Sequence, residues 1–185
     1  MVRRLAFPSV QAAEPLLLSR RELVLRARRL RLVLTDCDGV LTDGTVYISG
    51  RGEALKRFSL RDGMGTERLR EAGIETVIIT RERSPIVARR SEKLRLLLVQ
   101  GVRDKRAALP RVLQRASVVP REIAFIGDDL NDLPALQEVA RAGLTAAPED
   151  AQPAVRRVVH YRCRARGGQG AFREFAEWLL CLRAE

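Results

Sequence analysis

Residues 31–44 read RLVLTDCDGVLTDG: an apolar run, then two aspartates separated by one residue, then a glycine-bearing turn. The run Arg31 to Thr35 has the length and composition of a strand buried on both faces. Asp36 and Asp38 stand two apart, so on a chain still extended at the strand end both carboxylates leave on one side. Two carboxylates at short range repel unless a cation lies between them. A hard divalent ion with oxygen ligands relieves that repulsion, and magnesium keeps positions open for water or a phosphate oxygen. Seen alone, such a pair also reads as a turn or a helix cap, so the flanking sequence has to decide.

On the N-terminal side, Ser19-Arg20-Arg21-Glu22 matches the capping box and predicts a short basic helix. Residues 1–18, interrupted by Pro8 and Pro15, are expected to be a poorly ordered extension, leaving 19–185 as a single domain. On the C-terminal side, strand-like runs near Thr45–Ile48 and Ala54–Phe58 flank Ser49-Gly50-Arg51-Gly52, which predicts a hairpin. A helix is expected over Gly65–Glu71, a second core strand over Ile74–Thr80, and a helix opened by Ser84-Pro85. A third strand at Leu96–Val99, a helix over Asp104–Ala116, a fourth strand at Glu122–Ile126 and a helix over Leu130–Arg141 follow. Beyond a loop holding Pro148 and Pro153, a short strand at Val158–Tyr161 and an amphipathic helix ending near Leu182 complete the chain. Strands alternating with helices at this pitch predict a doubly wound parallel α/β sheet of the Rossmann-like kind with a hairpin insertion.

In such sheets ligands bind beyond the carboxyl ends of the strands. The residues that follow the apolar runs here are Asp36 and Asp38, Thr80, and Asp128 and Asp129, with Lys105 opening a helix. With a phosphate held by a metal, one aspartate can attack phosphorus while its neighbour shuttles protons. Thr80 can donate to a phosphoryl oxygen, and Lys105 can neutralise charge that develops in the transition state.

The bulk properties are compatible with that reading. The 185 residues are 46% hydrophobic but only 4% aromatic, so the core has to rest on Leu, Val, Ile and Ala. The net charge of +11 attracts polyanions, yet the basic residues are spread along the chain without interleaved aromatics, and nucleic acid is not expected as a partner. Cys37, Cys163 and Cys181 show neither metal-ligand spacing nor an even count, which predicts a reduced, cytoplasmic protein. No run approaches a membrane span.

The conjunction of motifs resembles the haloacid dehalogenase superfamily, and within it the 3-deoxy-D-manno-octulosonate 8-phosphate phosphatases and their capless relatives acting on nine-carbon sugar-acid 9-phosphates. The resemblance is carried by DCDGVLTDG (Asp36–Gly44), GEALKRF (Gly52–Phe58), RDGMG (Arg61–Gly65), AGIETVIIT (Ala72–Thr80), QGVRDK (Gln100–Lys105), FIGDDLNDLP (Phe125–Pro134) and GGQGAFRE (Gly167–Glu174). It implies a magnesium-dependent phosphatase acting on a phosphorylated 2-keto-3-deoxy sugar acid through a phospho-aspartate. By that resemblance Asp36 is the nucleophile, Asp38 the acid/base, and Thr80 and Lys105 bind the phosphate. The metal falls to Asp36, Asp128, the Asp38 carbonyl and, through water, Asp132. Lys56, Arg61, Arg81 and Arg173 are the implied substrate contacts. The family's usual Ile-Thr-Gly-Arg-x-Ser is Ile79-Thr80-Arg81-Glu82-Arg83-Ser84 here. The intervals between Asp36, Thr80 and Lys105 are filled by core elements and hold no cap domain. The resemblance therefore implies a homotetramer, with hairpin Thr45–Phe58 at the interface and the 167–174 segment closing an adjacent site. Two other classes stay open on sequence grounds: a non-catalytic, oligomerising phosphatase-like module, and a basic nucleic-acid-associated protein.

Overall fold

The apolar run before Asp36 forms the middle of the sheet. In the computed structural model, which describes residues 17–185, helix α1 (Arg20–Ala27) leads into strand β1 (Leu32–Thr35). The capping box forms as expected, with Ser19 Oγ accepting from Glu22 N and the Glu22 carboxylate accepting from Ser19 N. Most of the extension, residues 1–16, lies outside the described residues; Leu18 packs against the core. The chain then runs through β2 (Thr42–Ser49), β3 (Gly52–Phe58), α2 (Leu60–Glu71), β4 (Glu75–Ile79), α3 (Pro85–Leu94), β5 (Leu97–Val99) and α4 (Lys105–Ala116). It continues as β6 (Ile123–Ile126), α5 (Leu133–Ala140), β7 (Leu144–Ala147), α6 (Pro153–Val158), β8 (Tyr161–Arg162) and α7 (Ala171–Ala184).

Six parallel strands pair in the order β5-β4-β1-β6-β7-β8, while β2 and β3 form a separate antiparallel ribbon. The chain winds outward from β1 through β4 to β5 and then crosses to β6 on the other side. This makes the gap between the carboxyl ends of β1 and β6 the topological switch point. Alternation along the strands divides the core in two. Val33, Ile78, Ala124 and Ile126 face the side covered by α7, whose Phe172, Phe175 and Leu179 are fully buried. Leu32, Leu34, Val77, Ile79, Ile123 and Phe125 face the opposite side, against Leu109 and Val112 of α4 and Leu136 of α5. Every β1 residue is therefore enclosed, as a central parallel strand requires.

Four expectations need correction. Helix α2 begins at Leu60, five residues before the expected Gly65, because Ser59 Oγ caps Arg61 N and Asp62 N. The two glycines in its first turns are contact points. A Cβ on Gly65 would meet the Arg173 Cα at 3.0 Å, and one on Gly63 would meet Arg90 Nη2 at 2.8 Å, so close packing outweighs the helix penalty of glycine. Helix α5 starts at Leu133 rather than Leu130, since residues 128–132 are folded into a loop around the Asp132 side chain. The stretch between α5 and the final strand is not loop: it contains β7 and α6. The final strand is Tyr161–Arg162, and Val158 ends α6. All three cysteines are free, with Cys37 and Cys163 buried.

Candidate active site

β1 delivers Asp36 to the switch point, and Asp36 N continues the ladder by donating to Ile126 O at 3.0 Å. The chain then turns sharply, and the Asp36 side chain points back so that Oδ1 accepts from Cys37 N at 2.7 Å. Across the gap, β6 ends at Ile126 and the loop 127–132 supplies Asp128 and Asp132. The buried Asp132 Oδ2 accepts from Asp128 N at 3.0 Å and Asp129 N at 3.4 Å, which fixes the loop. Lys105 enters from the start of α4, capped by Asp104. Its ammonium lies 2.8 Å from Asp36 Oδ1 and 2.5 Å from Asp132 Oδ1, with 1% of the side chain exposed. Thr80, also buried, leaves the end of β4 and accepts from Glu82 N at 3.3 Å.

Asp36, Asp38, Thr80 and Asp128 thus line one cleft of about 430 Å³, together with Arg81 and Asn131. Gly39 makes the close approach possible. It has φ +86°, and a Cβ there would fall 2.0 Å from Asp128 Oδ2.

The electrostatics of this cluster call for positive charge. Burial, and then the nearby Asp132, push the Asp36 carboxyl up to about 7 against the pull of Lys105. Burial, and then Asp36, Asp132 and Asp129, push Asp128 up to about 8. Burial works against the Lys105 ammonium, but Asp36 and Asp132 outweigh it and hold the group above its usual value. Carboxylate oxygens of Asp36, Asp128 and Asp132 lie within 4.8 Å of one another, and Asp128 Oδ1 is buried with no hydrogen-bond partner. That donor set suits a hard divalent cation, which would remove the repulsion raising Asp36 and Asp128. Both Asp132 oxygens are already engaged by protein donors, so Asp132 suits a supporting position better than direct ligation.

The other expected contacts divide. Lys56 reaches in from β3 to Asp38 Oδ1 at 2.5 Å. Arg81 is exposed at the cleft edge and has no ion pair among the described residues. Arg61 is exposed on the first turn of α2 and does not line the cleft. Arg173 is turned along α7 to Glu177 at 2.7 Å and does not line the cleft either. The 167–170 segment packs on its own chain. Gly168 N donates to Val40 O at 2.9 Å, and a Cβ on Gly167 would fall 2.0 Å from Gly39 O. One residue of weight was not singled out from the sequence. Asp62, inside RDGMG, is 2% exposed and accepts from Gly170 N at 3.2 Å and Arg173 N at 2.9 Å, tying α2 to the start of α7. An acidic residue just ahead of Gly63-Met64-Gly65, at a helix start, was the available signal.

No protein-family model matches the chain. Among curated proteins it is 38% identical to the 3-deoxy-D-manno-octulosonate 8-phosphate phosphatase KdsC of Yersinia pestis over 160 residues, covering 86% of this chain and 84% of the relative. The Escherichia coli K12 KdsC is 37% identical with the same coverage. Among solved structures, the 3-deoxy-D-manno-octulosonate 8-phosphate phosphatase of Moraxella catarrhalis, in complex with a magnesium ion, a phosphate ion and a KDO molecule, superposes with a TM-score of 0.82 at 33% identity. It covers 89% of this chain and 93% of that one. The cobalt-bound YrbI phosphatase of Haemophilus influenzae gives a TM-score of 0.81 at 36% identity over 86% of this chain and 92% of that one.

Proposed function

The chain belongs to the KdsC family of 3-deoxy-D-manno-octulosonate 8-phosphate phosphatases in the haloacid dehalogenase superfamily, a family of phosphoric monoester hydrolases, and on that premise we propose that it releases phosphate from a phosphorylated 2-keto-3-deoxy sugar acid through a phospho-aspartate on Asp36. One observation carries the reading: the carboxylates of Asp36, Asp128 and Asp132 converge within 4.8 Å beside a buried lysine at the sheet's switch point, with a fourth aspartate, Asp38, lining the same cleft.

Both polar contacts of Asp36 fall on Oδ1, from Cys37 N and Lys105, which leaves Oδ2 to attack phosphorus. As the new P–O bond forms, the bond to the sugar oxygen breaks and Asp38 protonates that leaving alkoxide. Asp38 then takes a proton from water, the water oxygen bonds to phosphorus, and the acyl phosphate breaks to regenerate Asp36. The Thr80 hydroxyl, accepting from Glu82 N, keeps its proton for a phosphoryl oxygen. Lys105 balances the charge on Asp36 through both steps. Magnesium, held by Asp36, Asp128 and the Asp38 carbonyl with support from Asp132, would supply positive charge to the phosphoryl oxygens. The Arg81 guanidinium at the cleft edge suits the sugar carboxylate.

The reading includes a single phosphatase domain over 19–185, a cytoplasmic location, a role in lipopolysaccharide synthesis, and assembly as a homotetramer through the apolar hairpin. Among the described residues no helix is long and apolar enough to cross a membrane. The test is phosphate release from a panel of eight- and nine-carbon 2-keto-3-deoxy sugar phosphates, with magnesium and with chelator. Turnover is expected only with magnesium, and Asp36→Asn should abolish it while leaving the circular dichroism spectrum unchanged. Equal rates for Asp36→Asn and the unaltered chain would sink the phospho-aspartate.

A further inference from the structure

The ribbon β2–β3 stands outside the main sheet, yet it sends one charged side chain inward. The Lys56 side chain is only 3% exposed, and its ammonium contacts Asp38 Oδ1 at 2.5 Å and Glu53 Oε2 at 3.4 Å. A second tether runs beside it, where Ser84 Oγ, at the start of α3, donates to Glu53 Oε1. At the foot of the ribbon Arg90 lies 5.6 Å over the Phe58 ring and donates to Ser59 O at 3.1 Å. Two carboxylates thus hold the ammonium, and the ribbon that carries it is tied to α3. By contrast, the other Asp38 oxygen, Oδ2, is buried without any partner. A carboxylate with one oxygen clamped and the other free has a single orientation in which to give and take a proton.

We infer that Lys56 is the positioning residue for Asp38: by holding Oδ1 it aims Oδ2 at the leaving oxygen and then at the attacking water, rather than binding substrate itself. The inference rests on the function proposed above. It makes the hairpin part of the catalytic apparatus, because the lysine is presented by β3. Misplacing an acid/base by about 1 Å costs on the order of 100-fold, and positioned proton transfer contributes about 100-fold or more.

p-Nitrophenyl phosphate separates the two half-reactions. Its leaving group departs without a proton, so Asp36 is phosphorylated normally even when Asp38 is poorly aimed. Hydrolysis of the acyl phosphate still requires Asp38 to take the water proton. In magnesium-loaded Lys56→Met, stopped-flow should show a burst approaching about one nitrophenolate per active site, then a steady rate on the order of 10–100-fold below the unaltered chain, with KM falling in step with kcat so that kcat/KM is kept. Lys56→Arg should recover part of the rate. In an Asp38→Asn background, Lys56→Met should add nothing, because both act on one event. Should Lys56→Met not fold, Lys56→Gln is read in the same way. A raised KM with kcat kept, a slow rate without a burst, or a full additional loss in the Asp38→Asn background would each overturn the inference. If the unaltered chain shows no magnesium-dependent turnover, the phosphatase reading falls with it; normal turnover without the burst removes the role of Lys56 alone.

Discussion

Lys105 is among the largest fully enclosed side chains in the described structure, and it touches two carboxylates there. An ammonium leaves water at a cost of several kcal/mol unless opposite charge meets it in good geometry. Removing it strands Asp36 and Asp132, so Lys105→Met should destabilise the chain by about 3–5 kcal/mol near pH 8, measured by urea unfolding. Near pH 5 the loss should be smaller, because the Asp36 carboxyl, raised by burial, can take up a proton. Asp128 and Asp36 give a related prediction for the metal-free chain. Their ordinary value is 3.8, and the fold raises them to about 8 and about 7. Above pH 4 the folded chain therefore holds protons that the unfolded chain has released, and stability falls as pH rises. The contribution is complete below about 4 and is lost as pH passes through about 7 and 8. Magnesium needs the ionised carboxylates, so it should stabilise more as pH increases. The melting-temperature gap between magnesium-loaded and chelator-treated protein should widen from pH 5 to 8.5, and a constant gap would argue against these carboxyls as the binding site.

Helices α2 and α7 are joined at the level of the element by one buried carboxylate, Asp62, which accepts from the backbone at the start of α7. Asp62→Ala leaves those amides unpaired and should cost about 1–3 kcal/mol, with amide exchange quickening first around Gly170–Arg173. That contact was invisible in the sequence, because its partners lie more than 100 positions apart. Local features were legible. Runs such as IETVIIT announce buried strands, Ser19 and Ser84 announce helix starts, and the DxD spacing with GDDLND marks the metal-binding edge. Strand β7, Leu-Thr-Ala-Ala, carried no such signal: it has little β-branched or aromatic character, and its place is set by pairing with β6 and β8. Helix α6 is short and opens at a proline that also suited a loop. The candidate site was legible where each residue directly follows a strand, as with Asp36, Thr80 and Asp128. Lys56 and Arg173 were named as substrate contacts, and what was not legible is the tertiary packing that turns them to Asp38 and Glu177.

At the scale of the whole molecule, the ribbon β2–β3 presents opposite characters on its two faces. Tyr47 and Leu55 are direct cross-strand partners, 58% and 64% exposed, whereas Lys56, the neighbour of Leu55, turns inward to Asp38. Alternation along a strand explains the division: one face serves the site, and the other is an apolar patch whose removal from water is favourable. A second copy of the same ribbon is the simplest cover in a symmetric assembly. Each copy also carries a net charge of +11, so assembly has to overcome repulsion between like-charged subunits. On the homotetramer proposed above, light scattering of the unaltered chain should give the mass of four copies at moderate salt, with the larger species losing ground as ionic strength falls and screening weakens. Leu55→Asp buries an unpaired carboxylate in that interface, at a cost of several kcal/mol for each contact it enters. It should shift the mass to smaller species at every salt concentration. If the unaltered chain scatters as a monomer, or Leu55→Asp leaves the mass unchanged, the outward face of the ribbon is not the assembly surface.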